Sequence, residues 1–291
     1  MWDFFKCTAC MMYVGYLAMI MLPTKLPRVA PSRGHSAKKS KRFYPAARRQ
    51  GGIAQKSKCF CPASRRQEGI THYDFSKASG DKMMSYGVIA RTIILDCLVE
   101  EFLAQNAGAV VINIACGLDT RCYRMAGKYA RWYNVDLPET MEIRSRFLKE
   151  DDPVYQIAKS ATDETFTDSI EYHGEPVLVV IEGLTMYLSG ADVQQMFHII
   201  DKKVEKATVL VEVMSPFSVN NIKEKSIEGS KAKFSWGVKN GRELEALVPP
   251  FRSQKDVSLV EGMEVFMPIY KVIGKIPFVR NISNKISVLK K

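Results

Sequence analysis

Apolar and polar positions along the chain follow two alternating rhythms. Residues 83–105 (MMSYGVIARTIILDCLVEEFLAQ) place apolar side chains three and four positions apart and run into Asn106-Ala107-Gly108, which predicts a long helix with a stop signal. Residues 109–114 (AVVINI) form a short apolar run, the texture of a strand buried on both faces. The alternation then repeats. Residues 132–135 (WYNV) predict a short strand and 139–149 a helix. Residues 176–181 (PVLVVI) predict another buried strand, and 191–202 a helix with Met196, Ile199 and Ile200 on one side. A further strand is predicted at 208–213 (TVLVEV), whereas 265–288 mixes short apolar runs with lysines and has no clear period. Strands alternating with helices predict an α/β fold with a parallel sheet covered on both faces.

Charge changes how the first quarter is read. The chain of 291 residues carries a net charge of +11, which by itself suggests a nucleic-acid partner. Residues 1–70 hold 14 Lys/Arg against 2 Asp/Glu, and residues 71–291 hold 28 against 29. The basicity is therefore local, and no nucleic-acid partner is expected for the rest. Within the basic part, 40–53 (SKRFYPAARRQGGI) recurs at 57–70 (SKCFCPASRRQEGI) with a period of 17. These copies have little to bury, so residues 1–70 are expected to be a disordered, low-complexity extension and 71–291 the functional domain. The apolar run at 7–22 is short for a membrane span, and membrane contact through it is not favoured. The seven cysteines lack the spacing of a secreted framework, and Cys7-x-x-Cys10 and Cys59-x-Cys61 lack histidine partners at zinc-finger spacing. A cytoplasmic protein without a bound metal is the expectation.

The chemistry is expected where the first strand opens into Ala115-Cys116-Gly117. In an open α/β sheet, ligands bind outside the carboxyl ends of the strands, and a tight turn there needs a residue lacking Cβ, which Gly117 supplies. Nineteen residues after Gly117, Asp136 ends the second strand, where an acid accepts ribose hydroxyls. A dinucleotide fingerprint would need a third glycine that Gly117-Leu118-Asp119-Thr120 does not contain, and Asp119 would repel a pyrophosphate. A sulfonium cofactor tolerates acidic neighbours, which favours S-adenosylmethionine over a nicotinamide dinucleotide.

The stretches VVINIACGLDTRCYRM (110–125), WYNVDLP (132–138) and IEGLTMYL (181–188) together resemble the leucine carboxyl methyltransferase family, which includes tetracenomycin-type polyketide O-methyltransferases. The similarity runs from about Tyr73 to the C-terminus and leaves residues 1–70 outside. It implies a Rossmann-like class I methyltransferase with a mostly parallel, seven-stranded sheet and helices on both faces. It also implies roles. Arg91 would pair with the cofactor's carboxylate, Gly117 would pack against its methionine moiety, and Asp136 would take the ribose. Ser160 and Ala161 would lie beside the adenine, where the family often has Asp-Leu, with Asp163 close enough to replace the missing acid. Glu182 would approach the amino group, and Tyr187 is expected to face the core. Ala115 stands where the family commonly has glycine.

Methyl transfer from a sulfonium is a displacement whose acceleration comes largely from positioning. A carboxylate acceptor needs no base and a hydroxyl benefits from one. His173 and His198 qualify only by residue type, so no catalytic residue is named. The expected activity is O-methylation of a small molecule. The alternatives are a nicotinamide-dependent oxidoreductase and a non-catalytic cofactor-binding protein. Residues 214–250, with Phe217, Phe234 and Trp236, suggest an apolar lid, and core packing explains these aromatics equally well.

Overall fold

The computed structural model describes residues 82–221, 233–265 and 267–291; the expectations placed on residues 1–70, including the repeat and the apolar run, lie outside them. Helix α1 (Lys82–Gln105) leads into β1 (Val110–Ile114), the short α2 (Arg121–Arg124) and β2 (Arg131–Asp136). There follow α3 (Pro138–Phe147), β3 (Val154–Ala158), β4 (Val177–Ile181), α4 (Gly190–Lys203) and β5 (Ala207–Val213). The rest comprises α5 (Pro216–Asn221), α6 (Gly241–Glu245), β6 (Arg252–Ser258), α7 (Leu259–Met263), α8 (Tyr270–Ile273), α9 (Pro277–Ile282) and β7 (Lys285–Lys290).

One seven-stranded sheet has the order β3-β2-β1-β4-β5-β7-β6. Strands β1 to β5 pair in parallel, and β7 runs antiparallel to both β5 and β6. This is the Rossmann-like class I arrangement, mostly parallel with a reversed strand near one edge. Its switch point lies between β1 and β4, where the chain turns from building one half of the sheet to building the other.

The two-residue period of the central strands sorts their side chains into two cores. Val110, Ile112 and Ile114 of β1 face the same cluster as Val177, Val179 and Ile181 of β4, which α4 covers with Val193, Met196, Phe197, Ile199 and Ile200. Val111, Leu178 and Val180 face the other cluster, covered by Ile94, Leu95, Leu98, Val99 and Leu103 of α1. Helix α4 starts at a capping box in which the Ser189 hydroxyl accepts the Asp192 N–H and Asp192 accepts the Ser189 N–H, an arrangement that contributes about 1 kcal/mol. Helix α7 lies against α1 at Gly262, where an added Cβ would come within 2.4 Å of the Ala90 carbonyl oxygen. That contact ties the C-terminal part of the chain to the helix carrying Arg91.

The three strands missed by the periodicity have identifiable reasons. Strands β3 and β6 are the sheet edges, and β6 (RSQKDVS) is mostly polar, as an edge open to water requires. Strand β7 (KISVLK) buries four consecutive residues, but it lies within the lysine-rich tail that conceals its pattern.

Candidate functional site

The carboxyl ends of β1, β2 and β4 lie side by side. Ile114 is in register with Val135 and with Ile181, so Ala115, Asp136 and Glu182 are neighbours along one edge. The chain leaves β1 through two residues in the left-handed region, Ala115 at φ 55° and Gly117 at φ 50°. Glycine adopts this conformation freely, whereas an L side chain pays about 1–2 kcal/mol. Ala115 therefore holds strain that glycine would relieve. The Gly117 N–H donates to Asp136 Oδ2 at 2.8 Å, closing the turn onto the second strand.

Asp136 is almost fully buried. Its Oδ1 accepts the Leu137 N–H at 2.8 Å, and the Thr140 side chain also bonds it. Burial is the larger influence and lifts its carboxyl to about 6 against the lowering effect of these donors. A carboxylate has about four acceptor positions, so these three donors leave about one for a ligand. Asp136 lines a small cleft with Ala115, Leu137, Ser160, Ala161, Thr162, Leu184 and Leu188, with a cavity volume of about 30 Å³. Four of the expected cofactor residues (Ala115, Asp136, Ser160 and Ala161) thus share one cavity.

Arg91 and Glu182 belong to a second group beside it. Arg91 Nε pairs with Glu182 Oε1 at 2.7 Å and its Nη1 with Glu212 Oε2 at 2.9 Å. Arg121 is 1% exposed and pairs with Asp96, Asp119 and Glu182. Arg124 also bonds Asp96. Three guanidinium groups thus meet four carboxylates, an excess of one negative charge in a poorly hydrated place. Both Asp119 oxygens are engaged, Oδ2 by Asn113 and Arg121 and Oδ1 by the Arg121 N–H. Arg121 offsets the charge of Asp119 but shares itself with Asp96 and Glu182, so the cluster stays net negative.

Other expected residues lie elsewhere. Asp163 is exposed and caps the 3-10 helix Glu164–Ser169, accepting the Thr165 N–H at 2.9 Å and its hydroxyl at 2.7 Å. Its carboxyl is held low by those bonds and does not line the cleft, where Thr162 stands instead. His173 and His198 are both exposed. Tyr187 is half-buried with its ring 5.4 Å from Phe234, rather than in the core. Of the expected lid, Trp236 packs against the main core, and Ser235 is bonded to the backbone of Met186 and Leu188. Phe217 remains exposed.

The periodicity gave no sign of the buried polar support beneath the loop. Arg144 of α3 is 0% exposed and donates to the Gly117 carbonyl at 2.7 Å and the Asp119 carbonyl at 2.7 Å. It also pairs with Glu150, whose side chain is buried. Asn134 donates to Glu150 at 2.9 Å, and Asn113 donates to both Asp119 and Asn134. A signal was available: Asn113 and Asn134 are polar residues inside otherwise apolar strands and lie in register across β1 and β2. Arg144 offered none, since an arginine on a surface helix ordinarily faces water.

Among the described residues no group of histidine, cysteine and acidic side chains is arranged to hold a metal ion, and no helix is long and apolar enough to cross a membrane. A family model described as leucine carboxyl methyltransferase matches residues 48–201, beginning inside the segment expected to lie outside the similarity. The tetracenomycin polyketide synthesis O-methyltransferase TcmP of Streptomyces glaucescens is 34% identical over 206 residues, spanning 69% of this chain and 76% of its own length. The S-adenosyl-L-methionine-dependent methyltransferase dpfgK of Gibberella zeae is 29% identical over 196 residues, spanning 61% of this chain and 66% of its own. The crystal structure of an S-adenosylmethionine-dependent methyltransferase from Anabaena variabilis is a remote likeness, with a TM-score of 0.47 at 12% identity over 69% of this chain and 84% of that one. Sheet order, the β1 loop with its facing acid, and a family match across more than half of the sequence converge, and the chain belongs to the leucine carboxyl methyltransferase family.

Proposed function

We propose that this chain, an S-adenosylmethionine-dependent methyltransferase by family, methylates an oxygen of a small molecule, either a carboxylate or a hydroxyl. The observation that carries the cofactor's placement is the cleft itself, where Ala115, Asp136, Ser160 and Ala161 converge beside an ion-pair cluster with surplus negative charge. The residues present suit the group in side-chain chemistry and charge. Leu137, Ala161, Leu184 and Leu188 offer apolar walls for a flat base. Asp136 offers its remaining acceptor position to a ribose hydroxyl, and the excess carboxylate favours a cationic sulfonium and ammonium. Arg91, held by Glu182 and Glu212, is the cation assigned to the carboxylate end.

When bound, S-adenosylmethionine supplies an electrophilic methyl group. The protein's own contribution is positional. Arg144 fixes the loop from beneath, the Gly117 N–H fixes Asp136, and the cluster holds its charges without reorganising. The named relatives include an O-methyltransferase, which supports oxygen as the acceptor atom. Family membership sets aside the nicotinamide oxidoreductase alternative. A cytoplasmic location is part of the proposal, supported by the free thiols of Cys97, Cys116 and Cys122. The test is transfer of a labelled methyl group to a panel of carboxylic acids, phenols and alcohols, with the product identified by mass spectrometry. Label in an ester or ether is expected; label only on nitrogen or carbon acceptors would overturn the O-methyl assignment.

A further inference from the structure

We propose that the surface formed by residues 265 and 267–282 docks onto an anionic lipid bilayer. Helices α8 and α9 bury no residue at all. Helices in globular proteins bury an apolar stripe, and these two instead present theirs to solvent. Val265, Ile269, Val272, Ile276 and Phe278 are 69%, 56%, 67%, 47% and 61% exposed within fourteen consecutive positions. Phe217, 48% exposed, extends the patch, its ring 6.1 Å from that of Phe278. Large side chains at this density on a surface mark a contact site rather than the scattered apolar residues of an ordinary exterior.

Charge selects the occupant. Residues 265–291 contain six Lys/Arg and no Asp or Glu. Arg280 pairs with Glu261, while Lys271 and Lys275 are exposed and pair with no carboxylate among the described residues. Lysines interleaved with exposed aliphatic and aromatic side chains on short helices suit the boundary of an anionic membrane, where the apolar groups enter the acyl region and the ammonium groups meet phosphates. The same charge disfavours the other candidates. A second copy would set lysines against lysines, and the chain's own residues 1–70, with 14 Lys/Arg to 2 Asp/Glu, carry the same sign.

The position is consistent with a use. The Ser218 hydroxyl donates to the Ile282 carbonyl at 2.6 Å, and Asn284 donates to Glu212, the partner of Arg91. The patch therefore sits at the carboxyl end of the sheet, on the same side as the cleft, so a docked protein would face the bilayer with the end that holds its site. The docking proposal does not depend on which acceptor is methylated.

Co-sedimentation of the full chain with vesicles tests it. The chain is expected to pellet with mixed phosphatidylcholine–phosphatidylglycerol vesicles and not with phosphatidylcholine alone, and to be released by salt. The double variant Val272→Asp/Phe278→Asp, altered only at exposed positions, is expected to lose binding by about tenfold or more. Lys271→Gln/Lys275→Gln, which leaves the apolar residues in place, is expected to lose roughly fivefold per lysine. Failure of the wild type to bind anionic vesicles overturns the proposal. So does retention of binding by the lysine variant, which would locate the contact elsewhere. A concentration-dependent dimer abolished by Val272→Asp would instead assign the patch to a second copy and also overturn it.

Discussion

Replacing Asp136 with asparagine tests the ribose assignment with two readouts of opposite sign. The carboxylate is 4% exposed and receives the Gly117 and Leu137 N–H groups at 2.8 Å each. An asparagine presents one acceptor oxygen, occupied by one of these donors, and turns an amide NH2 toward the other. The charge-assisted hydrogen bond to a ligand, at about 1.5–3 kcal/mol, would be lost, so affinity for S-adenosylmethionine falls by about tenfold to a hundredfold. Wild-type affinity also follows the proton. Burial lifts the Asp136 carboxyl to about 6, and the ionised form is the one that accepts a ribose hydroxyl. Affinity is therefore full above that value and drops about tenfold by about pH 5. Stability moves the other way. A group whose folded pKa is raised stabilises the protein at low pH and loses that contribution as pH rises through the folded value. From this group alone the ligand-free protein is stabilised by about 3 kcal/mol on acidification between about pH 6 and pH 4. Isothermal titration calorimetry at several pH values, with urea titrations alongside, reads both effects. An asparagine variant that binds within a few-fold of wild type, or a wild-type affinity flat across this range, would refute the reasoning.

Three further outcomes are expected. Ala115→Gly releases the strain of a φ of 55° and raises unfolding free energy by about 1 kcal/mol, read from urea midpoints, without lowering cofactor affinity. Arg144→Ala strips the Gly117 and Asp119 carbonyls of their donor and leaves Glu150 buried without its cation, so stability falls by about 3–5 kcal/mol in the same assay. Glu182→Gln removes the surplus negative charge while preserving shape, and weakens binding of the cationic cofactor more than that of neutral-sulfur S-adenosylhomocysteine in paired calorimetric titrations.

The central strands were legible because burial on both faces makes them apolar runs, and the loop after β1 because a turn at a strand end demands Gly117. Edge strand β6 was not legible, since its water-facing residues carry no apolar rhythm. In the candidate site, the sequence position of Asp136 marked it as the proposed ribose acid, and Ser160 and Ala161 were marked only through family resemblance. The ion-pair cluster was hidden because pairing joins residues as distant in sequence as Arg91 and Glu212, and no local pattern records such contacts. Asp163 shows the reverse case: an acid placed near the adenine by sequence proximity caps a short helix instead.

The most direct test of the account is a crystal structure of the chain grown with S-adenosylhomocysteine. A ribose hydroxyl is expected on the Asp136 carboxylate and the adenine between Leu137 and Leu184, beside Ser160 and Ala161. Nucleoside density away from this cleft, with Asp136 bonded only to the protein backbone, would contradict it.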